Sequence, residues 1–327
     1  MTLLQTLVAD LRDPSDLMVD HLDYVVISGD LTLRATPQEF EQARQFVSAL
    51  LQEFGLTSQR CIIVPGNHDL DWDTEVYTWK KKRQVNVGLL APGSFIEAGD
   101  GYNIRDEERY PERFKNFSEH FYHPLFQQAY PLDPKEQCLS FLFGESRLQF
   151  LAMNSAWEID EYFPERSSIF DEALTRGLIS AEKQLTQAQN RGELADTDEV
   201  LRLSVRHHPI TGNEEMPQDV FTTQLQQAGV RFVLHGHVHE DRADLISYTD
   251  PSRQVHVIGA GSFGAPIHHR REAVPRLYNL LEVARDHSHV RVHTRVLQRG
   301  GRAWEGHAVW PDTQSGVRRT YYVVKLR

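Results

Sequence analysis

The chain has 327 residues, of which 40% are hydrophobic and 25% charged, and its formal net charge is −11 at pH 7. This length allows one large hydrophobic core or two smaller ones, and a mean hydropathy of −0.48 is ordinary for a globular protein. The acidic balance argues against an extended nucleic-acid footprint, which needs a broad basic surface. The longest apolar runs are also shorter than the roughly 18 residues that span a bilayer.

The cysteines and the N-terminal residues indicate the cellular compartment of the protein. Cys61 and Cys138 are the only cysteines, and Cys61 lies in an apolar, strand-like run. Thiols that are buried rather than bridged are typical of a reducing environment. The N-terminus lacks the basic region and long apolar stretch of a secretory signal. We therefore expect a cytoplasmic protein that does not associate with a membrane.

The first 70 residues predict a βαβ unit. Residues 3–13 have apolar positions at helical spacing, whereas 24–30 ("YVVISGD") and 61–66 ("CIIVPG") are apolar, β-branched runs. The helix between these two strands has marked ends: Thr36 as N-cap, Pro37 in the first turn, Glu39 at capping-box spacing and Gly55 as C-cap. Strand, helix and strand at this spacing predict a parallel pair.

The rest of the chain predicts further strands and helices in one domain, 1–327. Residues 72–135 predict a helical or irregular insertion, and 138–156 predict a hairpin that turns at Gly144 and Glu145. Beyond it we expect a helix around 180–190, then the strand "LRLSVRHHP", the helix "PQDVFTTQLQQAG" and the strand "VRFVLHGHVH". The C-terminal part, about 255–327, predicts strands and turns.

Several of the predicted strands end in side chains that can bind metals. These side chains are Asp30, the run Asn67–Asp69, the pair His207 and His208, and the pair His237 and His239. Ligands gather at the carboxyl ends of strands in α/β sheets, so these side chains should meet. A mixed nitrogen and oxygen set suits Mn, Fe or Zn.

Each motif has an ordinary interpretation when it stands alone. Gly-Asp after a strand is most often a turn, Asn-His can occupy a polar turn, and "HHP" can cap a strand end. "HGHVH" is more specific, because alternate positions of a strand project to one face. The shared strand-end context of all four motifs is what favours a metal site.

Taken in order, "SGD", "PGNHD", "RHHP" and "HGHVH" resemble the calcineurin-like metallophosphoesterase superfamily, in particular its cyclic-nucleotide phosphodiesterases. The signature of that superfamily is D-x-H, GD, GNH(D/E), H and GHxH. The resemblance covers about residues 24–240, and "IGAGSFG" beyond it is also similar. It implies a four-layer αββα sandwich of two mixed β-sheets, with a binuclear centre of two divalent ions at the sheet ends.

The resemblance also implies roles for the metal-binding residues. Asp30 would bridge the two ions, and His239 would serve one of them. The ligands of the other ion would be completed by Asn67, His207 and His237. His208 is the alternative to His207, which is favoured because the family ligand lies two residues before the proline.

The catalytic residues implied by the resemblance are His68 and Asp69. His68, held by Asp69, would act beside the leaving group, where an oriented imidazole can donate a proton. The alternative is that His68 only shapes the turn that carries Asn67.

The first block of the signature is absent, because no Asp in the chain is followed two positions later by His. His21 and Asp23 stand in the wrong order, and His287 and His289 fall in a predicted turn between tail strands. One explanation is that the natural protein carries this block on a strand upstream of Met1. The other is a naturally short chain that lacks its first strand, has one metal site weak or empty, and is poorly active.

The substrate depends on loops rather than on these motifs. The family acts on phosphomonoesters, cyclic nucleotides, nucleic acids and phospholipid-related diesters. Aromatic residues of 72–135, such as Trp72 and Trp79, could stack a base or could simply pack the insertion onto the sheets. With the acidic net charge, we expect a small phosphodiester such as a cyclic nucleotide.

Two other functions stay open. One is a phosphomonoesterase, and the other is a catalytically impaired module that binds phosphate or a partner. Such a partner could complete the truncated edge of the sheet. The oligomeric state is not predicted.

Overall fold

The computed structural model describes residues 2–210, 218–238, 242–247, 254–264, 274–298, 300–301, 303–312 and 316–326. The α-helices in these ranges are α1 (Leu3–Leu11), α2 (Pro37–Glu53), α3 (His123–Phe126), α4 (Asp171–Asn190) and α5 (Gln218–Gln227). The strands are β1 (Val25–Ile27), β2 (Cys61–Ile63), β3 (Tyr77–Lys81), β4 (Phe95–Ala98), β5 (Gly101–Arg105), β6 (Cys138–Phe143), β7 (Leu148–Met153), β8 (Leu201–Val205), β9 (Val230–His235), β10 (Arg242–Ser247), β11 (Gln254–Gly259), β12 (Arg276–Val283), β13 (His289–Leu297), β14 (Glu305–Gly306), β15 (Trp310–Pro311), β16 (Arg318–Arg319) and β17 (Tyr321–Lys325).

The predicted βαβ unit is confirmed. β1 and β2 pair in parallel, with Val26 opposite Ile62. The capping box of α2 forms as expected: the Glu39 amide donates to Thr36 Oγ1 at 3.3 Å, and the Thr36 amide donates to Glu39 Oε2 at 3.1 Å. The helix ends at Glu53 with Phe54 as its C-cap, and Gly55, which was predicted as the C-cap, lies one residue further on with φ +63°. Local sequence signals therefore predicted the start of this helix correctly and its end to within one residue.

A six-stranded mixed sheet forms one inner layer, in the order β10-β11-β9-β8-β7-β6. β7, β8, β9 and β11 are parallel, whereas the edge strands β6 and β10 run antiparallel to their neighbours. The predicted hairpin is the β6–β7 pair. One face of the sheet is covered by α4 and α5, through residues such as Leu174 and Leu225 packed with Leu151 and Val233.

The second inner layer contains the β1–β2 pair and the antiparallel group of β12, β13, β14 and β17. Side chains alternate across this layer: Ile62 packs with Phe150 of the six-stranded sheet, whereas Cys61 and Ile63 pack with Phe40 of α2. α1 and α2 share one apolar cluster, and Leu280 of β12 packs against that cluster. The order of layers is therefore helix, sheet, sheet, helix, which confirms the αββα architecture. Among the described strands, no pairing joins β1 or β2 to the antiparallel group.

The insertion at 72–135 includes helical segments such as α3, as predicted, but its first half differs from the prediction of a helical or irregular segment. It contains an antiparallel sheet in the order β3-β5-β4. In β3, residues Thr78 to Lys81 are all exposed, so this strand has no apolar alternation that could predict it. The later part of the insertion does pack as a core, because Phe117 and Phe121 are fully buried against α2.

The two cysteines were expected to be buried and unbridged. Cys61 and Cys138 are both unpaired and buried. Among the described residues, no helix is both long enough and apolar enough to cross a bilayer.

Candidate metal centre

Asp30, Asn67, His207 and His237 lie just beyond the carboxyl ends of β1, β2, β8 and β9. Because β1 is parallel to β2 and β8 is parallel to β9, each pair of strands delivers its residues to the same edge. The site therefore lies where the edges of the two inner sheets face each other.

Asp30 contacts residues from both sheets. Its Oδ2 lies 3.1 Å from Nε2 of His207, and its Oδ1 accepts the backbone N–H of His68 at 3.0 Å. Burial alone would raise the pKa of Asp30, but His207 and His68 hold it well below the ordinary value. The side chain is therefore a carboxylate that faces an imidazole across the site.

His207 is buried and its ring orientation is fixed. Nδ1 lies 2.7 Å from the carbonyl oxygen of Ser28, and a carbonyl can only accept, so Nδ1 carries a hydrogen. Nε2 then faces Asp30 and also lies 3.2 Å from Nδ1 of His237. Burial lowers the pKa of His207, but the charge of Asp30 outweighs it and the net shift is upward. A histidine whose far nitrogen donates to a backbone carbonyl is the usual arrangement of a metal ligand.

Asn67 supplies an oxygen that lacks a protein partner. Its Oδ1 is buried and accepts no hydrogen bond within the described ranges. An unsatisfied buried acceptor costs about 1–3 kcal/mol, so native structures rarely keep one without a role. A divalent cation between Asn67, Asp30 and His207 would coordinate this oxygen. The residues present therefore fit a metal ion of the class that prefers mixed nitrogen and oxygen ligands.

His207, His208 and His237 form a cluster in which one ring nitrogen of each lies within 4.8 Å of the others. The ring centroids of His208 and His237 are 4.6 Å apart. Burial, reinforced by His207 and His237, holds the pKa of His208 well below its ordinary value. Both members of the "HHP" pair therefore reach the site, and His239 lies outside the described residues.

Asp69 has a different role from the one implied by the resemblance. Its carboxylate accepts the backbone N–H groups of Gly66, Leu31 and Thr32 at 2.9 to 3.2 Å, and also the Thr32 hydroxyl. Nδ1 of His68 lies instead 3.1 Å from the carbonyl oxygen of Leu33. The expectation that Asp69 holds the His68 ring is therefore wrong: Asp69 ties the two ligand-bearing turns together, and a backbone carbonyl orients His68.

The backbone is strained in the turns that carry Asp30 and His237, and it is tightly packed at Gly29. Asp30 has φ 57° and His237 has φ 67°, in the left-handed region that non-glycine residues rarely occupy. Such strain costs of order 1–3 kcal/mol and clusters at functional sites. A β-carbon on Gly29 would lie 2.7 Å from Nδ1 of His207, so only glycine allows this approach.

Comparison with known proteins places the chain in a family. The sequence profile described as calcineurin-like phosphoesterase matches residues 2–241. The chain belongs to this family. Calcineurin-like phosphoesterases are metallophosphoesterases, which agrees with a strand-end site of carboxylate, amide and imidazole groups.

Individual relatives of this calcineurin-like phosphoesterase are distant. An uncharacterized metallophosphoesterase-like protein, YydB, of Bacillus subtilis (strain 168) is 20% identical over 228 residues, which are 70% of this chain and 43% of that protein. The purple acid phosphatase PPD1 from yellow lupin (Lupinus luteus) seeds aligns with 99% of this chain and 48% of its own, at 15% identity and a TM-score of 0.49. A single mutant of Vps29 from Entamoeba histolytica aligns with 48% of this chain and 96% of its own, at 15% identity and a TM-score of 0.23. The chain thus spans less than half the length of the first two proteins.

Sequence reasoning missed one polar residue at the centre of this phosphoesterase. Ser155 is fully buried, and its hydroxyl contacts the backbone of His207 and the ring of His208. It follows β7, which is parallel to β8, so the strand-end rule that selected the other residues also applies to it. A single serine after a hairpin gave no motif to draw attention to it.

Proposed function

We propose that this protein is a metal-dependent phosphohydrolase that cleaves a small phosphodiester, such as a cyclic nucleotide. The proposal is carried by the 3.1 Å contact between the Asp30 carboxylate and the His207 ring across the two sheets, together with the buried, unsatisfied Oδ1 of Asn67. Membership of the calcineurin-like phosphoesterase family supports the reaction class.

The centre would hold two divalent ions of Mn, Fe or Zn. Asp30 would lie between them, with Asn67, His207 and His237 on one ion and His239 on the other. When bound, such ions neutralise phosphate charge and lower the pKa of water, which makes a nucleophile available at neutral pH. The neutral amide of Asn67 adds no negative charge to the site, so the centre stays attractive to an anionic substrate.

His68 is proposed as the proton donor to the leaving group. Its Nδ1 must carry a hydrogen, because it faces the Leu33 carbonyl oxygen at 3.1 Å. Proton transfer would therefore use Nε2 of the half-buried ring. Since the backbone N–H of His68 donates to Asp30, the ring is placed beside the residue that would bridge the ions. A positioned acid of this kind contributes typically 10²–10⁴-fold to a rate.

Trp72 supports a substrate with a planar group. Its side chain is exposed, yet Nε1 donates to the backbone carbonyl of Asn67 at 3.1 Å. The turn beneath it is also anchored, because the Asp71 amide donates to the Arg113 carbonyl at 2.9 Å. A fixed, exposed indole next to the centre offers a face on which a nucleobase can stack, typically for about 1–3 kcal/mol.

The experiment compares substrates on the purified chain with Mn²⁺. Bis(p-nitrophenyl) phosphate and a cyclic nucleotide should be hydrolysed faster than p-nitrophenyl phosphate. Trp72→Leu should raise KM for the cyclic nucleotide about tenfold and leave kcat nearly unchanged, with Trp79→Leu as a control at another exposed indole. Faster hydrolysis of the monoester would favour a phosphomonoesterase instead. Bound metal without any turnover would favour a phosphate- or partner-binding module.

We also propose three further properties of the protein. They are a cytoplasmic location, a small phosphoester as the principal partner, and a partner strand at the edge of the β1–β2 pair. Metal analysis and size-exclusion chromatography of the same preparation would measure the number of ions and the oligomeric state.

A further inference from the structure

The hydroxyl of Ser155 fixes the hydrogen positions of His208. Ser155 Oγ accepts the backbone N–H of His207 at 3.2 Å and that of His208 at 3.0 Å. The same oxygen lies 2.9 Å from Nδ1 of His208. A serine hydroxyl has two acceptor lone pairs and one hydrogen. Since both lone pairs are occupied by backbone donors, the hydrogen must be donated to Nδ1 of His208.

This arrangement selects one tautomer of His208. A neutral imidazole that accepts at Nδ1 carries its hydrogen at Nε2. Nε2 is buried and has no hydrogen-bond partner among the residues that the structure describes. The His208 ring lies against both His207 and His237, with centroid distances of 4.7 and 4.6 Å. A buried N–H group is thus held beside the metal centre without an acceptor.

A nitrogen that carries a hydrogen cannot coordinate a metal, because coordination uses the same lone pair. It can donate to an anion that occupies the centre. Leaving such a donor buried and unpaired is unfavourable, and an incoming acceptor would recover that free energy.

We propose that His208 binds the phosphoryl group of the substrate by donating a hydrogen bond from Nε2 to a non-bridging phosphate oxygen. Ser155 is the positioning residue that sets its tautomer. The proposal rests on the proposed function, because it assigns the phosphate to the centre of Asp30, Asn67 and His207. It gives the two histidines of "HHP" different roles: His207 would hold the metal, and His208 would donate to the phosphate.

The first test measures the tautomer by long-range ¹H–¹⁵N NMR of histidine-labelled, metal-free protein. His208→Gln assigns the signals of this ring. We expect the hydrogen on Nε2 in the wild type, and a redistribution toward Nδ1 in Ser155→Ala. A wild-type ring with its hydrogen on Nδ1 overturns the proposal.

The second test titrates inorganic phosphate into the Mn²⁺-loaded protein by calorimetry. His208→Leu should keep the wild-type Mn²⁺ stoichiometry and bind phosphate about 10- to 100-fold more weakly, as expected for a hydrogen bond to a charged group. His208→Gln, whose amide nitrogen reaches the Nε2 position, should recover part of the loss. His208→Asn, whose amide reaches only the Nδ1 position, should not recover it. If His208→Leu does not fold, the phosphate affinities of the Gln and Asn variants still test the proposal. His256→Leu, in a half-buried ring that packs on Phe232, is the control.

Several outcomes would count against the proposal. Loss of a Mn²⁺ equivalent in His208→Leu would make His208 a metal ligand instead. Phosphate affinity equal to the wild type in that variant, or a wild type that binds Mn²⁺ but not phosphate, would also overturn it. By contrast, wild-type protein that binds Mn²⁺ and phosphate but hydrolyses no phosphoester would contradict the proposed function. The hydrogen bond from His208 to phosphate would still stand.

Discussion

The α-carbon of Gly66 lies so close to Asp30 that a β-carbon built on it would be 2.2 Å from Asp30 Oδ1 and 2.5 Å from the Asp30 amide. These two residues follow different strands, so their contact fixes the spacing of the two ligand-bearing turns. Glycine is required at this position because of the close approach, whatever its backbone angles.

Gly66→Ala should therefore displace the Asp30 carboxylate and weaken Mn²⁺ binding at least tenfold. Isothermal titration calorimetry measures this directly. The control is Gly55→Ala, since a β-carbon there meets no atom within 4 Å although φ is +63°. That control should lose about 1–2 kcal/mol of stability from the left-handed backbone and keep its Mn²⁺ affinity. Equal Mn²⁺ affinities in the two variants would show that this contact does not position Asp30.

Asn67→Leu should separate stability from metal binding. The change removes a buried oxygen without a partner, so the metal-free protein should be as stable as the wild type, or up to about 2 kcal/mol more stable. The rise in Tm on adding Mn²⁺ should disappear. Asn116→Leu offers the opposite case, because the Asn116 amide donates to the Ala35 carbonyl at 3.1 Å. It should lose stability yet retain the Mn²⁺-induced rise. A normal rise in Asn67→Leu would remove Asn67 from the metal site.

Asp69→Ala should act mainly on stability. Without the carboxylate, the N–H groups of Gly66, Leu31 and Thr32 lose their acceptor inside the protein. We expect a loss of about 3 kcal/mol or more in urea unfolding, since each unsatisfied buried donor costs about 1–3 kcal/mol. The exposed carboxylate of Asp73 provides the control, Asp73→Ala. If Asp69→Ala kept full stability and only slowed turnover, the carboxylate would instead serve His68.

The two thiols should be unreactive in the folded protein. Burial raises the pKa of Cys138 to about 12 and that of Cys61 further still. At pH 8 both are therefore protonated as well as inaccessible, and the thiolate is the reactive form. Ellman's reagent should report no reactive thiols in native buffer and two thiols per chain in guanidinium chloride. Rapid reaction of a thiol in native buffer would mean that α4 or α2 opens readily.

Much of the fold followed from local signals. Thr36 and Glu39 fixed the start of α2, and the apolar runs around Val26 and Ile62 predicted the parallel pair. β3 could not be predicted in this way. Its residues Trp79 and Lys80 are exposed and lack alternation, so the strand depends on pairing with β5 rather than on its own sequence.

The site was predictable where it follows a general rule and unpredictable where it depends on individual contacts. Strand ends gather ligands, and this rule alone brought Asp30, Asn67 and His207 together. The partner of the His68 ring is a backbone carbonyl, which no sequence motif encodes. The function of Ser155 likewise depends on two backbone N–H groups of the "HHP" turn, and their positions are set by tertiary structure.

The most direct measurement is an anomalous difference map from crystals of the full chain soaked in Mn²⁺. We predict a peak bounded by the side chains of Asp30, Asn67, His207 and His237, with Asn67 Oδ1 turned toward it, and no such peak in crystals of Asn67→Leu. Mn²⁺ bound elsewhere, or no peak between these four residues at saturating metal, would contradict a metal centre at the strand ends.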